Sequence, residues 1–338
     1  MNSFNGKRIL VTGATGLIGN SLVHSLMKFN NIHVVAVSRS ESKLQKCFSK
    51  YKNNLNFSFF AHDVSLPLNI LVDPVDFIFH AASPQENKII YESPVDVIRA
   101  NLYGTVNCID LLCKQENDHN VNGRLILFSS VTVYGNNTNK NLVVKESDTS
   151  VTDIIESNGA PYSQSKRMSE VIARAYAKQF GVDVVISRLS TVYGDTIIKS
   201  DTAFFEFINN AILGQDIQMR SNTLPRRDNI FLDDAISGLL TIALKGKTTE
   251  AYNVSSNGEL DNFLAVDEIA SVIANESNKQ VGNSGVPINV IYSDCSKGKR
   301  KPGVILDNSK LKGLGWKLTT SFNDGIAKTL NSCNSTNS

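Results

Sequence analysis

The chain has 338 residues, of which 41% are hydrophobic and 20% charged, and its formal net charge is +2. This length predicts one large domain with a smaller lobe, and the composition is typical of a soluble globular protein. The near-zero net charge excludes a general electrostatic case for binding nucleic acid or a membrane surface. We expect a cytoplasmic protein without a metal site, because signal-peptide and membrane-length apolar runs are missing and the five cysteines lack metal-ligand spacing.

The first half of the chain alternates short apolar runs with amphipathic segments. Strands are predicted over Arg8–Thr12, His33–Val37, Asn56–Phe60, Phe77–His80, Arg124–Ser129 and Val182–Arg188. Helices are predicted between them over Asn20–Phe29, Val95–Lys114 and Tyr162–Phe180. This alternation predicts an α/β fold in which a parallel sheet is covered by helices on both faces.

The regular alternation of strands and helices ends after about Ser190. Helices are predicted over Ala203–Leu213, Asp233–Leu244 and Val266–Asn275, the second capped by Asp233 or Asp234. We therefore predict a sheet domain over residues 1–190, a smaller α/β lobe over 191–330 that mainly binds substrate, and a disordered tail over 331–338. A strand near 229–232 is expected to return to the main sheet.

A glycine loop joins the first strand to the first helix in "RILVTGATGLIGNSL". Gly13 permits a tight turn, Gly16 lets the backbone approach a pyrophosphate, and Gly19 lets helix and sheet pack closely. The helix N-terminus adds free N–H groups for the phosphates. We predict a Rossmann-type, doubly wound domain that binds NAD(P) through this loop, which comprises Gly13, Thr15, Gly16, Leu17, Ile18 and Gly19.

The end of the second strand should contact the adenosine ribose, and it reads "VVAVSRS". It offers no carboxylate for a free 2′-hydroxyl, whereas Arg39 could bind a 2′-phosphate, which favours NADP over NAD. The alternative is that Arg39 is a solvated surface residue. Asp63 with Val64 is expected at the adenine, and Ala81, Ala82 and Ser83 are expected to line the cofactor.

Three residues form a candidate catalytic set. Tyr162 and Lys166 in "YSQSK" lie four positions apart, hence on one helix face. A nearby ammonium favours a phenolate, so Lys166 and a nicotinamide would lower the pKa of Tyr162 into a range useful for acid–base chemistry. Ser130, which ends the strand in "LFSSVTVYG", can hydrogen-bond the same substrate oxygen, and Lys166 can also hold the nicotinamide ribose.

The order of these motifs, together with "HAAS", "ANLYGTVN", "RLSTVYG", "RRDNIFLDDA" and "YNVSS", resembles the extended short-chain dehydrogenase/reductase family, and within it the nucleotide-sugar epimerases, dehydratases and decarboxylases. The resemblance implies a nucleoside-diphosphate sugar substrate and a homodimer that pairs through the second and third predicted helices. It also implies roles for residues beyond the catalytic three: Asn101 steadies the active-site helix, Thr132 and Thr191 face the substrate, and Arg227 and Arg300 hold its diphosphate.

The positions after Ser130 separate the reactions of this family. By resemblance, dehydratases and decarboxylases carry a glutamate where this chain has Thr132, and dehydratases often an aspartate where it has Val131. Neither residue can remove a proton from carbon. We therefore predict a 4-epimerase that oxidises C4 transiently and keeps its NAD. The alternatives are an NADPH-dependent 4-keto-sugar reductase, which would suit Arg39, a dehydratase or decarboxylase, and a non-catalytic dinucleotide-binding protein.

Overall fold

A computed structural model describes residues 4–69, 73–84, 87–135, 142–148, 155–194, 202–220, 223–281, 286–292 and 299–336. The strands are β1 Arg8–Thr12, β2 His33–Ser38, β3 Phe57–Ala61, β4 Phe77–His80, β5 Arg124–Ser130, β6 Leu142–Val144, β7 Asp183–Leu189, β8 Thr191–Tyr193, β9 Ile217–Met219, β10 Thr223–Phe231, β11 Ala251–Val254, β12 Phe263–Ala265, β13 Val290–Tyr292, β14 Lys299–Lys301 and β15 Val304–Leu306. The helices are α1 Leu17–Leu26, α2 Glu41–Cys47, α3 Asn87–Glu92, α4 Pro94–His119, α5 Ala160–Phe180, α6 Ala203–Ile212, α7 Leu232–Lys245, α8 Val266–Val281, α9 Ser309–Lys312 and α10 Phe322–Thr336, with 3₁₀ turns over Ser49–Tyr51 and Val131–Tyr134.

Seven strands form the main sheet in the order β11-β7-β5-β4-β1-β2-β3, and every pairing is parallel. Residues alternate between its two faces along each strand. Ile9 and Val11 belong to the core that packs against α1 and α7, whereas Leu10 belongs to the core beneath α4 and α5. The predicted doubly wound α/β fold is confirmed, because helices cover both faces of a parallel sheet.

The carboxyl ends of these strands position the site. The chain order reverses at β1, whose neighbours are β2 on one side and β4 on the other. In an open parallel sheet, ligands bind in the crevice outside the strand ends at such a reversal. The glycine loop follows β1 and Ser130 ends β5, so the predicted cofactor and catalytic residues share this edge.

The smaller lobe has a core of its own. Residues such as Phe207, Ile269 and Phe322 pack α6, α8 and α10 against short strands. Its four-stranded sheet joins β10 to β12, β14 and β8. None of the helices within the described ranges has both the length and the apolar character needed to cross a membrane.

Three expectations for this half of the chain are corrected. The strand at 229–231 is the end of β10 and pairs with β8 in the smaller sheet, while β11 is the late strand that joins the main sheet. Asp233 and Asp234 lie in the first turn of α7, whose N-cap is Phe231; Asp234 instead accepts the backbone N–H of Thr320 at 2.9 Å. The helix α10 reaches Thr336, so most of the tail predicted to be disordered is helical.

Candidate active site

The glycine loop is closely packed. Gly13 has φ +63°, and a Cβ added there would lie 2.7 Å from the backbone N and Cα of Ala82. A Cβ at Gly19 would collide with the carbonyl of Gly13, whereas one at Gly16 would meet only that carbonyl, at 3.3 Å. Gly13 is therefore required by the packing of the loop against Ala82 and Gly19 by packing within the loop, whereas Gly16 has exposed backbone.

The surroundings of this loop fit a dinucleotide. The first turn of α1 contains no acidic residue and no side-chain cap, so its N–H groups can receive phosphate oxygens. Leu17 and Ile18 anchor that turn against the core, and Thr15 Oγ1 lies 2.7 Å from Ser38 Oγ at the end of β2. The hydroxyl of Ser83 is buried without a hydrogen-bond partner in the described part of the chain. The cradle and this unsatisfied hydroxyl are what a bound cofactor would complete.

Arg39 and Asp63 lie close together, just after the carboxyl ends of β2 and β3. Arg39 is exposed just after β2. Burial disfavours the Asp63 carboxylate, but hydrogen bonds from Ser65 and the charge of Arg39 hold its pKa below the usual range. Val64 is buried, and its carbonyl accepts a hydrogen bond from Asn107 Nδ2 at 2.8 Å. The adenine and 2′-phosphate contacts of these residues remain predictions.

The two serines that end β5 have different partners. Ser129 Oγ donates to Glu170 Oε1 at 2.6 Å. Ser130 Oγ accepts the backbone N–H of Thr132 at 3.2 Å, which caps the 3₁₀ turn. Because that bond uses Ser130 only as an acceptor, its hydroxyl proton can be donated to a ligand. Ser129 thus binds a buried residue of α5, whereas Ser130 keeps its hydroxyl proton for a ligand at the carboxyl end of β5.

Lys166 lies deep beneath Tyr162 on α5. Its Nζ donates to the carbonyl oxygen of Phe128 at 2.7 Å and lies 6.0 Å from the centre of the Tyr162 ring. Burial, opposed by the charge of Glu170, lowers the pKa of Lys166 to about 7. The ammonium is therefore poised near neutrality, where a small electrostatic change alters its protonation.

Asn101 connects α4 to α5. Its Nδ2 donates to Ser165 Oγ at 2.8 Å, and its carbonyl oxygen accepts the hydroxyl of Ser169 at 3.0 Å. Ser165 and Ser169 flank Lys166 on α5. These bonds give Asn101 the means to fix the axial position of α5, and so of Tyr162 and Lys166.

Two threonines predicted to face the substrate lie at strand ends. Thr132 follows Ser130 in the 3₁₀ turn, and its Oγ1 is buried without a hydrogen-bond partner among the described residues. Thr191 opens β8 and pairs in register with Asn229 of β10. Both lie on elements that start at the carboxyl ends of main-sheet strands, β5 and β7.

The two predicted diphosphate arginines point in opposite directions. Arg300 lies beside Leu224 in the sheet, and alternation along β10 puts it on the face of Arg226, not of Arg227. Its guanidinium pairs with Asp267 and Glu268, each at 2.9 Å.

Arg227 is available for an anion. The residue has an exposed surface, but protein atoms surround its guanidinium closely enough that desolvation lowers its pKa. This combination is expected for a guanidinium in a recess. No acidic side chain within the described ranges pairs with it. Lys301, which the motif comparison did not single out, lies beside Pro225 and hence on the same face as Arg227.

A buried polar network below the site was also not predicted. Arg188 donates to Glu170 Oε1 and Oε2 at 2.9 and 2.8 Å, and to the Tyr134 hydroxyl at 2.8 Å. Tyr134 in turn donates to Asn253 Oδ1 at 2.8 Å. The one sequence signal was the position of Glu170, four residues after Lys166 on the same face of the helix.

Comparison with known proteins agrees with this architecture. The chain is 27% identical over 324 residues to UDP-glucuronic acid decarboxylase 3 of Arabidopsis thaliana, across 94% of this chain and 86% of that protein. The UDP-glucose 4-epimerase of Thermotoga maritima, solved with UDP-glucose, superposes with a TM-score of 0.76 at 20% identity, across 98% of this chain and all (100%) of that one. For UDP-glucuronic acid 4-epimerase from Bacillus cereus in complex with NAD, the TM-score is 0.73 at 22% identity, across 96% of each chain. These two structures establish likeness of fold.

A family model gives the assignment. The model of the NAD-dependent epimerase/dehydratase family matches residues 9–255, from the middle of β1 through β11. This stretch contains the glycine loop, Ser130, Tyr162, Lys166 and Arg227. The resemblance drawn from the motifs is therefore confirmed, and the chain belongs to the NAD-dependent epimerase/dehydratase family.

Proposed function

We propose that this protein is a nucleotide-sugar 4-epimerase that acts by transient oxidation at C4. The observation that carries the proposal is the 3₁₀ turn after β5, where Val131 and Thr132 stand beside Ser130. A site with Ser130, Tyr162 and Lys166 but no carboxylate in this turn suits reversible redox at a carbinol. Decarboxylases are among the relatives of this chain, yet by resemblance they carry a glutamate at the position of Thr132.

The residues of the chain would act as follows. When bound, a nicotinamide dinucleotide supplies reversible hydride transfer at C4. Tyr162 takes the proton of the 4-hydroxyl and later returns it, while Ser130 donates to the same oxygen. Protonated Lys166 favours the Tyr162 phenolate. The buried Oγ1 of Thr132 is within the same turn and can hydrogen-bond a sugar hydroxyl.

Arg227 is proposed to hold the substrate diphosphate. A partly desolvated guanidinium with no acidic partner among the described residues is suited to a phosphate, because a charge-assisted hydrogen bond offsets its desolvation. Lys301, on the same face of the sheet, is proposed as a second phosphate contact. Arg300 is already neutralised by two carboxylates, so we expect it to contribute less.

The test incubates the purified protein with a panel of nucleotide sugars, first without added cofactor and then with NADPH, followed by chromatography and mass spectrometry. A new isomer of unchanged mass is expected. Loss of water would indicate dehydration, loss of carbon dioxide decarboxylation, and gain of two hydrogens reduction; any of these would refute the epimerase. Tyr162→Phe should abolish turnover while leaving NAD binding nearly intact, and persistent activity would remove Tyr162 from its acid–base role.

The second candidate is an NADPH-dependent 4-keto-sugar reductase, favoured by the exposed Arg39 at the end of β2. Arg39→Ala should then weaken NADP binding much more than NAD binding. Arg99→Ala, which removes another exposed arginine on α4, is the matched control. Equal losses for both cofactors would contradict the 2′-phosphate contact.

We also propose that the protein is a homodimer. Val95, Ile98 and Tyr103 on α4 and Met168 and Val171 on α5 are large apolar side chains, each 38–56% exposed. A second copy applying the same face would bury them in a four-helix interface with two-fold symmetry. Light scattering should give twice the chain mass. Val171→Glu should give a monomer. Leu55→Glu, at an exposed site outside α4 and α5, should leave the dimer intact.

A further inference from the structure

Lys166 is a buried cation without an obvious counter-charge in the catalytic set. It is 3% exposed, and its Nζ donates to the carbonyl oxygen of Phe128. A carbonyl dipole alone does not compensate for a desolvated ammonium. The titratable group that faces Lys166 from β4 is His80, whose pKa is lowered to about 3 by burial and by Lys166 itself, so it is neutral.

Glu170 is the carboxylate whose charge acts on Lys166, although its direct ion pairs are with Arg174 and Arg188. It follows Lys166 by four residues on α5, so both side chains project from the same face of the helix. It is 3% exposed. Its carboxylate accepts from Ser129, while Lys166 donates to Phe128, the preceding residue of β5. Glu170 and Lys166 therefore bind two consecutive residues, Ser129 and Phe128, near the end of β5.

The groups around Glu170 keep it ionised. Burial disfavours its carboxylate, but Arg188 from β7, Ser129 from β5 and Arg174 on α5 together hold its pKa below the usual range. Tyr134, which contacts Arg188 from the 3₁₀ turn, is neutral because burial raises its pKa to about 12. Glu170 is thus a fixed negative charge at neutral pH.

We propose that Glu170 is a positioning residue that keeps Lys166 protonated beneath Tyr162. The tandem serines then have separate tasks: Ser129 orients the Glu170 carboxylate, and Ser130 binds the substrate oxygen. This inference rests on the acid–base role proposed above for Tyr162. In this proposal Glu170 touches neither substrate nor cofactor, but it controls the protonation of Lys166, which contacts the cofactor.

The experiment titrates Tyr162 without any substrate. Near-ultraviolet absorbance of tyrosinate is followed against pH in the NAD-bound protein, and subtraction of the same titration of Tyr162→Phe isolates Tyr162. Glu170→Gln keeps the shape of the side chain and removes its charge, so the Tyr162 midpoint should move up by about one pH unit. Arg174→Gln removes the half-exposed partner and leaves the carboxylate, so it should leave the midpoint unchanged.

Two failures are distinguishable. A Tyr162 midpoint in the unmodified protein at the free value of about 10 would refute the acid–base role, and the inference with it. A lowered midpoint that is identical in Glu170→Gln would overturn the role of Glu170 alone.

A second variant guards against misfolding. Glu170→Gln leaves Arg188 with one strong partner fewer, which can destabilise the fold. The double variant Glu170→Gln with Arg188→Met removes both buried charges. It should shift the Tyr162 midpoint in the same upward direction by a smaller amount, and no shift or a downward shift would overturn the proposal.

Discussion

The variant Gly13→Ala tests how closely the glycine loop packs against Ala82, which follows β4. Gly13 has φ +63°, which costs a residue with a Cβ about 1–2 kcal/mol. The added Cβ would also lie 2.7 Å from the Ala82 backbone, about 0.7 Å inside ordinary contact. Because both contact surfaces are backbone, relief requires movement of the loop, at roughly 1–3 kcal/mol more. We expect a total loss of about 2–5 kcal/mol in the free energy of unfolding.

Urea denaturation measures this loss, and titration with NADH measures cofactor affinity. Gly181→Ala is the matched control, because Gly181 has φ +74° but a Cβ there would meet nothing within 4 Å. It should lose about 1–2 kcal/mol from strain alone and bind NADH normally. Equal stability losses and equal NADH affinities in the two variants would refute the close packing of Gly13 against Ala82.

Three further predictions concern buried charges and the diphosphate site. Arg188→Met should lower the free energy of unfolding by about 3–5 kcal/mol in urea, because Glu170 would keep only Arg174 as an ionic partner; a loss below 1 kcal/mol would contradict this. Burial raises the pKa of Asp228 from 3.8 to about 6, so the folded state binds the extra proton between these values. The stabilisation that Asp228 contributes should therefore fall by about 2–3 kcal/mol as pH rises from 4 to 6, so the difference in unfolding free energy between the unmodified protein and Asp228→Asn should change by that amount over this range; a constant difference would refute it. Arg227→Met should weaken binding of nucleoside diphosphates at least tenfold, and Arg300→Met only slightly, as measured by calorimetry; the reverse order would restore Arg300 as the main phosphate contact.

The sheet could be predicted from the sequence because its signals are local. The strands β1 and β4 have the predicted bounds, and the other predicted strands of the main sheet differ by no more than one residue at either end. Uninterrupted apolar runs between amphipathic helices occur in strands buried on both faces, and this pattern needs no knowledge of which strands are neighbours. The glycine spacing was equally informative, since Gly13 and Gly19 are dictated by contacts within the loop and its immediate surroundings.

The edge of the sheet could not be predicted in the same way. The end of β10 and the four-residue strand β11 both lie late in the chain, and the sequence favoured the strand near 229–232. The structure pairs β11 with β7 and gives the end of β10 to β8. Strand pairing depends on long-range packing of the connecting helix α7, which no local pattern records.

The candidate site was likewise predicted from the sequence only in part. Sequence alone determined that Tyr162 and Lys166 share a helix face and that Ser130 ends a buried strand, because helical and strand periods fix those relations. Only the tertiary structure decided that Ser129 binds Glu170 while Ser130 caps the 3₁₀ turn after β5, and that Arg300 turns towards Asp267 and Glu268 while Arg227 does not. The physical reason is that a charged side chain takes its role from the partners and the burial that distant segments provide, and those arise only when the chain has folded.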